Sequence, residues 1–297
     1  MSVDEDQLIS WAKAPSETEE TKCQHTVKRI TDAIRSKFGY DVSIFLQGSY
    51  KNRTNVRLDS DVDIVVRHDG YYFPDDAFLP DQAKKAFWAN FKTSDYTFSK
   101  FKDEIQGCLE EEFANGEIER KNKCIKVLEN SQRVNADVVP CFILERMKDA
   151  VTVGEKGIAL IADSGGRISS FPEQHYDNGV GKNDSTEKRY KSLVRIVKNV
   201  RNQLIDDEAI GEEEMPSFNL ECLVWNVPDS HFMKDSFWAS TRAVIAKIYN
   251  DMMDLQKARD YAEVNDLKWL FRWRPKITPE QAKMFMQKAW DFIGYED

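Results

Sequence analysis

The sequence predicts an α+β fold: a mixed sheet lobe with N-terminal helices (residues 1–181), then a helical lobe (182–297), with an active cleft between them. Three observations predict it. Short β-branched runs at 42–46, 61–67 and 134–144 alternate with helix-period segments in the first part of the chain. Beyond residue 182 the apolar residues recur at helical spacing and strand signals stop. Gly, Asp, Asn and Pro clusters punctuate the runs.

Residues 5–38 read as helical. Leu8, Trp11 and Ala12 sit at helical spacing, as do Val27, Ile30, Ile34 and Phe38, and Pro15 marks the break between them. A strand at 42–46 follows the turn-like Gly39-Tyr40-Asp41, and the next, at 61–67, is ended by His68-Asp69-Gly70. Pro74 and Pro80 make 71–80 a loop, 82–92 and 96–114 are helices, and Asn115-Gly116 is a turn. Charged and apolar residues alternate over 118–128, which reads as one half-exposed strand. The run at 134–144 is apolar but for Asp137 and Pro140, and residues 157–162 and 167–171 flank Asp163-Ser164-Gly165-Gly166 as a hairpin. In the second lobe Leu193, Ile196, Val197, Val200 and Leu204 form one stripe, with Lys188, Lys191, Arg195 and Lys198 on another face. An acidic loop at 206–215 precedes helices at 217–227, 236–257 and 279–294, against which Trp269 and Trp273 are expected to pack.

Composition narrows the function classes. A hydrophobic fraction of 41% and a charged fraction of 31% describe a soluble globular protein of 297 residues. No apolar run approaches the roughly 20 residues of a membrane span, and the acidic start lacks a signal-peptide pattern. Cys23, Cys108, Cys124, Cys141 and Cys222 are widely spaced with no Cys-x-x-Cys, and His25, His68, His175 and His231 are scattered, so neither a disulfide framework nor a zinc knuckle is expected. A reducing cytoplasm fits this usage. The net charge of −9 favours a small nucleotide over a long nucleic acid, whose binding rests on basic surfaces.

The chemistry concentrates between residues 47 and 66. Gln47-Gly48-Ser49 closes an apolar strand with a tight turn, and Asp61-Val62-Asp63 opens the next. Alternation along a strand puts Asp61 and Asp63 on one face and Val62 and Ile64 on the other. Two carboxylates about 4 Å apart repel by roughly 4 kcal/mol at an effective dielectric near 20. Such a pair persists when a divalent cation lies between the two groups or when one stays protonated. The Gly48-Ser49 turn offers backbone N–H groups and a hydroxyl suited to phosphate. Phosphate, Mg²⁺ and paired aspartates together point to two-metal phosphoryl or nucleotidyl transfer. Asp137, a carboxylate inside another β-rich run, supplies a third ligand or a base for an attacking hydroxyl. Lys198, with Lys191 and Arg195, offers positive charge to a triphosphate. Ser217 offers a hydroxyl, and Phe218 a ring for base stacking or core packing. Lys182 reads as a phosphate contact or a helix cap.

These residues resemble the DNA polymerase β-like nucleotidyltransferases. The stretches from Phe45 to Thr54 and from Ala136 to Pro140, with Pro216-Ser217 ahead of Glu221, resemble more closely the bacterial CD-NTases, relatives of cyclic GMP-AMP synthase and oligoadenylate synthase. The resemblance spans roughly residues 40–225. It implies a polymerase β-like nucleotidyltransferase sheet lobe with an oligoadenylate synthase-like helical lobe. It further implies synthesis of cyclic di- or trinucleotide signals from ATP, GTP, UTP or CTP, with two Mg²⁺ or Mn²⁺ ions. Carried over residue by residue, it assigns metal binding and catalysis to Asp61, Asp63 and Asp137. Gly48 and Ser49, next to Gln47, take the donor triphosphate, and Lys198 and Ser217 its distal phosphates. It places the protein in cytosolic anti-phage (CBASS) defence with an effector that senses the product. The zinc insertion of the animal cyclic GMP-AMP synthase is missing, which argues against duplex-DNA sensing by that route. Nucleotide transfer to an RNA 3′ end or to a protein would use the same metal site, and an inactive nucleotide-sensing module is a further alternative.

Overall fold

The computed structural model describes residues 3–14, 16–56, 61–114, 116–273 and 275–295, with the backbone alone for Glu17 and Thr18. The break at Pro15, the turn residue Asn115 and the motif positions Arg57, Leu58, Asp59 and Ser60 lie outside the described residues. The chain divides into two compact units. Glu17–Tyr50 with Ser60–Pro172 form one, and Met1–Ser16, Lys51–Asp59 and Glu173–Asp297 form the other. The chain therefore passes between units several times, where the sequence reading drew one boundary after residue 181.

The first of these units is built on a seven-stranded sheet. Strands β1 (Val42–Gln47) and β2 (Val62–Asp75) are antiparallel, β2 runs parallel to β5 (Ala136–Met147), and β5 is flanked by β4 (Ile125–Val127) and then β3 (Ile118–Arg120). Further along, β5 pairs with β6 (Val153–Ile161), which pairs with β7 (Arg167–Ser170). Val62, Ile64, Val65 and Val66 are all fully buried, as are Ala136, Val138 and Cys141. A parallel pair covered on both faces reads as a near-continuous apolar run, and these two strands do. Helices α2 (Glu17–Phe38) and α5 (Phe98–Glu112) supply much of the covering through Ile30, Ile34, Phe101, Ile105 and Leu109.

Two strand expectations need correction. β2 does not stop at Gly70; a register shift between His68 and Tyr72 carries it on to Asp75. Pro74 is tolerated there because β1 pairs only as far as His68, so no strand on that side requires a donor from residue 74. The half-exposed strand at 118–128 is a hairpin, turned where the Lys121 N–H donates to the Cys124 carbonyl at 2.9 Å. That turn is fastened from below by buried Lys102 of α5, whose ammonium donates to the Lys121 and Asn122 carbonyls at 2.8 and 3.1 Å and pairs with Asp163 at 3.0 Å.

The other unit is helical. α1 (Glu5–Ala12) buries Leu8 and Ala12 in the same core as α7 (Arg189–Asp206), α8 (Ser217–Trp225), α9 (Phe237–Met252), α10 (Leu255–Arg259) and α11 (Pro279–Ile293), and α6 (Pro172–Ser185), which buries His175 and Gly179, joins the unit from Glu173 on. The stripe Leu193, Ile196, Val197, Val200 and Leu204 makes α7 the core's main buried face. Burying one such side chain contributes about 1.5–3 kcal/mol. α11 starts on a Thr278/Gln281 capping box with Pro279 behind it and stops at Gly294, in the left-handed region. Helix α6 begins ten residues before the onset expected at 182. Lys182 donates from its ammonium to the Val227 carbonyl at 2.8 Å and pairs with Asp229 at 3.0 Å. Trp273 does not pack as expected, being 76% exposed.

Candidate active site

β1 ends at Gln47, and Gly48 opens the one-turn helix α3 (Gly48–Asn52), with half-buried Ser49 beside it. Gln47 faces Asp63 across the antiparallel pair. Asp63 faces Asp137 across the parallel pair, and Asp137 faces Lys126 on β4. Register partners project to the same face of a sheet, so the four side chains form a row across four strands. Both Asp63 and Asp137 are the second residue of their strand, which places them together at the N-terminal end of the parallel pair. Asp61 precedes β2 and keeps its alternation, exposed on the Asp63 side.

Gly48 is required twice. Its φ of +69° lies in the left-handed region, and a Cβ there would stand 2.0 Å from Asp63 Oδ2. The carboxylate thus rests directly on the glycine backbone. Asp137 Oδ1 is buried with no hydrogen-bond partner. The Cys124 thiol bonds to the Asp137 carboxylate; burial, reinforced by that negative charge, pushes the thiol up to about 12. Asp61 Oδ2 lies 3.5 Å from the Lys126 ammonium.

A divalent ion fits these residues by chemistry. The donors are hard carboxylate oxygens of the kind Mg²⁺ and Mn²⁺ take, and an orphaned buried oxygen such as Asp137 Oδ1 is costly unless a cation or proton satisfies it. The set is not gathered, however. Among the described residues no group of three His, Cys, Asp or Glu side chains is arranged to hold a metal ion.

The remaining expected residues belong to the helical unit. Ser217 and Phe218 open α8; Ser217 is half-buried and Phe218 is 41% exposed, its ring 5.8 Å from that of His175. Lys198 is 3% exposed, and its ammonium lies 3.4 Å from both Thr54 Oγ1 and Glu221 Oε2. Glu221 also accepts from Thr54 Oγ1 at 2.7 Å and lies 3.0 Å from His175 Nε2. Burial alone would raise this carboxyl; the Lys198 ammonium, His175 and Thr54 outweigh it and hold it at about 2. Arg195 is buried against the carbonyls of Ala12 and Arg53, and burial lowers it to about 10. Nearby, the Lys51 and Lys191 ammoniums stand 4.5 and 5.6 Å from the Tyr176 ring centroid. The charged face expected on α7 is therefore partly interior.

Residues 27–160 match the profile of the nucleotidyltransferase domain, and residues 177–294 that of the cGAS/DncV-like nucleotidyltransferase C-terminal helical domain. The chain is 46% identical to a cyclic dipurine nucleotide synthase of Elizabethkingia meningoseptica over 296 residues, covering 100% of each. The chain belongs to the bacterial CD-NTases. A cyclic dipyrimidine nucleotide synthase, CdnE, of Cecembia lonarensis is 36% identical, with 98% of each chain covered. Among solved structures, the E. meningoseptica CdnE cyclic dinucleotide synthase with GTP and Apcpp superposes with a TM-score of 0.84 at 44% identity, over 99% of this chain and 100% of that one. The Rhodothermus marinus c-UMP-AMP synthase with Apcpp and Upnpp gives 0.80 at 29% identity, over 99% of each.

This CD-NTase is thus a nucleotidyltransferase, an enzyme of the cyclic-oligonucleotide-synthase family, with the nucleotidyltransferase fold. Two of its polar residues carry little local signal in the sequence. Lys126 looked like one charged position on an alternating strand, and only its register opposite Asp137 marks it. Glu221 stood in the sequence only as part of a resemblance, although its place four residues after Ser217 puts it one helical turn further along α8. Among the described residues no helix is long and apolar enough to cross a membrane.

Proposed function

We propose that the protein joins nucleoside triphosphates into a cyclic dinucleotide with release of pyrophosphate. The observation that carries this is the Asp63–Asp137 register pair laid over Gly48, with one buried carboxylate oxygen unsatisfied. Asp61, Asp63 and Asp137 would hold the divalent ions, two Mg²⁺ or Mn²⁺ by resemblance to the family. Bound there, such ions neutralise phosphate charge and acidify an acceptor hydroxyl. Gly48 leaves room for the Asp63 carboxylate, and Ser49 with the backbone of its turn donates to the donor phosphates, next to Gln47. The ribose hydroxyl forms its new bond to the α-phosphorus as the bond to the bridging oxygen breaks, and pyrophosphate leaves. Asp137 is the base that takes the hydroxyl proton. A linear intermediate then re-enters and cyclises.

Lys198 and Ser217 are proposed to contact the distal phosphates and Phe218 to stack on a base. An ammonium has three N–H donors, and Thr54 and Glu221 occupy two of those of Lys198. Identity to the dipurine synthase, 46%, exceeds that to the dipyrimidine synthases, 36% and 37%. ATP and GTP are therefore the first substrates to test. Cytoplasmic anti-phage signalling to an effector that binds the product completes the reading, by resemblance.

The test is incubation of the pure protein with Mg²⁺ and all four labelled NTPs, followed by phosphatase and mass spectrometry. A small phosphatase-resistant product is expected. Label retained on added RNA or on protein would transfer the same chemistry to another acceptor.

A further inference from the structure

Glu221 takes no part in the reaction proposed above, yet its contacts lead to Lys198 and, through His175, to Phe218, two of the residues assigned there to nucleotide. Glu221 is 4% exposed, and its carboxylate is reached by Thr54, His175 and Lys198. Lys198 is one of the assigned phosphate contacts. His175 lays its ring 5.8 Å from that of Phe218, tilted by 33°. Thr54 lies five residues beyond Ser49 in the chain, and Ser217 is four residues before Glu221 on α8, one turn away. A buried ion pair adds little net stability over an apolar pair of the same volume, so folding alone does not account for the charge.

We infer that Glu221 is a positioning residue for nucleotide. Together with the Thr54 hydroxyl it engages two donors of the Lys198 ammonium and so fixes the direction of the third, while through His175 it sets the ring beside Phe218. It does not touch substrate; its effect is on affinity. The inference rests on the nucleotidyltransferase reading of Lys198 and Phe218.

The test uses the full chain with Glu221→Gln, Thr54→Val, Lys198→Met and the Glu221→Gln/Lys198→Met double variant. Pyrophosphate release gives kcat and KM, binding of a non-hydrolysable ATP analogue gives affinity, and melting reports folding. Glu221→Gln is expected to raise KM about tenfold with kcat within about threefold. The double variant should be no worse than the poorer single one, because the residues act as one unit. Thr54→Val keeps the ion pair and should raise KM about threefold. A folded Glu221→Gln or Thr54→Val protein with wild-type KM overturns the inference, as does a double variant whose losses multiply. Should Glu221→Gln fail to fold, Thr54→Val decides alone. A wild-type chain that neither binds the analogue nor releases pyrophosphate defeats the activity reading itself. A working wild type with indifferent variants defeats only the role of Glu221.

Discussion

At the scale of single residues, the site is a problem of negative charge held in a confined space. Asp63 and Asp137 are register neighbours, and each ionised carboxylate raises the cost of the other. Asp63→Asn should abolish pyrophosphate release yet leave the melting temperature equal or higher, because repulsion is relieved; surviving activity would show the metal assignment to be wrong. Gly48→Ala should cost about 1–2 kcal/mol for its left-handed backbone. By pressing the Asp63 carboxylate aside, it should also cut kcat on the order of 100-fold. Urea unfolding and pyrophosphate release read the two effects separately. Glu221 gives a pH dependence. The unfolded carboxyl takes its proton near 4.5 and the folded one near 2. Between those values the unfolded chain binds more protons, so stability is full above about 4.5 and falls as pH drops toward 2. Urea midpoints at pH 5 and pH 3.5 should therefore differ more in the wild type than in Glu221→Gln. Equal differences would mean that Glu221 is not held ionised.

At the scale of elements, register decides what periodicity leaves open. Periodicity indicated that β2 and β5 would be apolar strands carrying aspartates, and both are. That Asp63 and Asp137 are direct neighbours follows from the parallel β2–β5 pairing, a contact between residues 74 positions apart that no local pattern encodes. The β3–β4 hairpin reads locally as one strand for a related reason. Its turn, Lys121 to Cys124, carries no Gly or Pro signal and is held by buried Lys102 from a helix. The hairpin sets Lys126 opposite Asp137 and within 3.5 Å of Asp61. With Asp61 more than half exposed, the pair is worth at most about 1 kcal/mol. Lys126→Met should accordingly lower the Mn²⁺ concentration for half-maximal activity about two- to fivefold, read from a metal titration. A rise instead would make Lys126 part of the nucleotide site rather than a competitor for Asp61.

At the scale of the molecule, two units each close their own hydrophobic core. The chain threads them unevenly: α1 and the segment after the Gly48-Ser49 turn group with the helices that come much later. Composition could not reveal this, since the apolar stripe of α1, Leu8 and Ala12, fits any core. A ligand that binds only the folded protein stabilises it by about 2.7 kcal/mol at 100 times its Kd. Mg²⁺ with a non-hydrolysable ATP analogue should raise the melting temperature by a few degrees, and the rise should vanish with EDTA or with Asp63→Asn. A shift of equal size without Mg²⁺ would separate nucleotide binding from the aspartates.

The sequence by itself determined the class of element for most of the chain, and that Asp63 and Asp137 stand in apolar strands with Gly48 at the end of a third. These are written in local alternation, in residue types that cost energy where they stand, and in short motifs. Tertiary structure alone decided that Asp63 lies on Gly48, that Asp137 keeps an unsatisfied oxygen, that Lys126 stands against Asp61 and that Lys198 is buried on Glu221. Each of these is a distance between groups far apart in the chain, set by strand register and core packing, and a carboxylate's partner is fixed by that distance rather than by its neighbours in sequence.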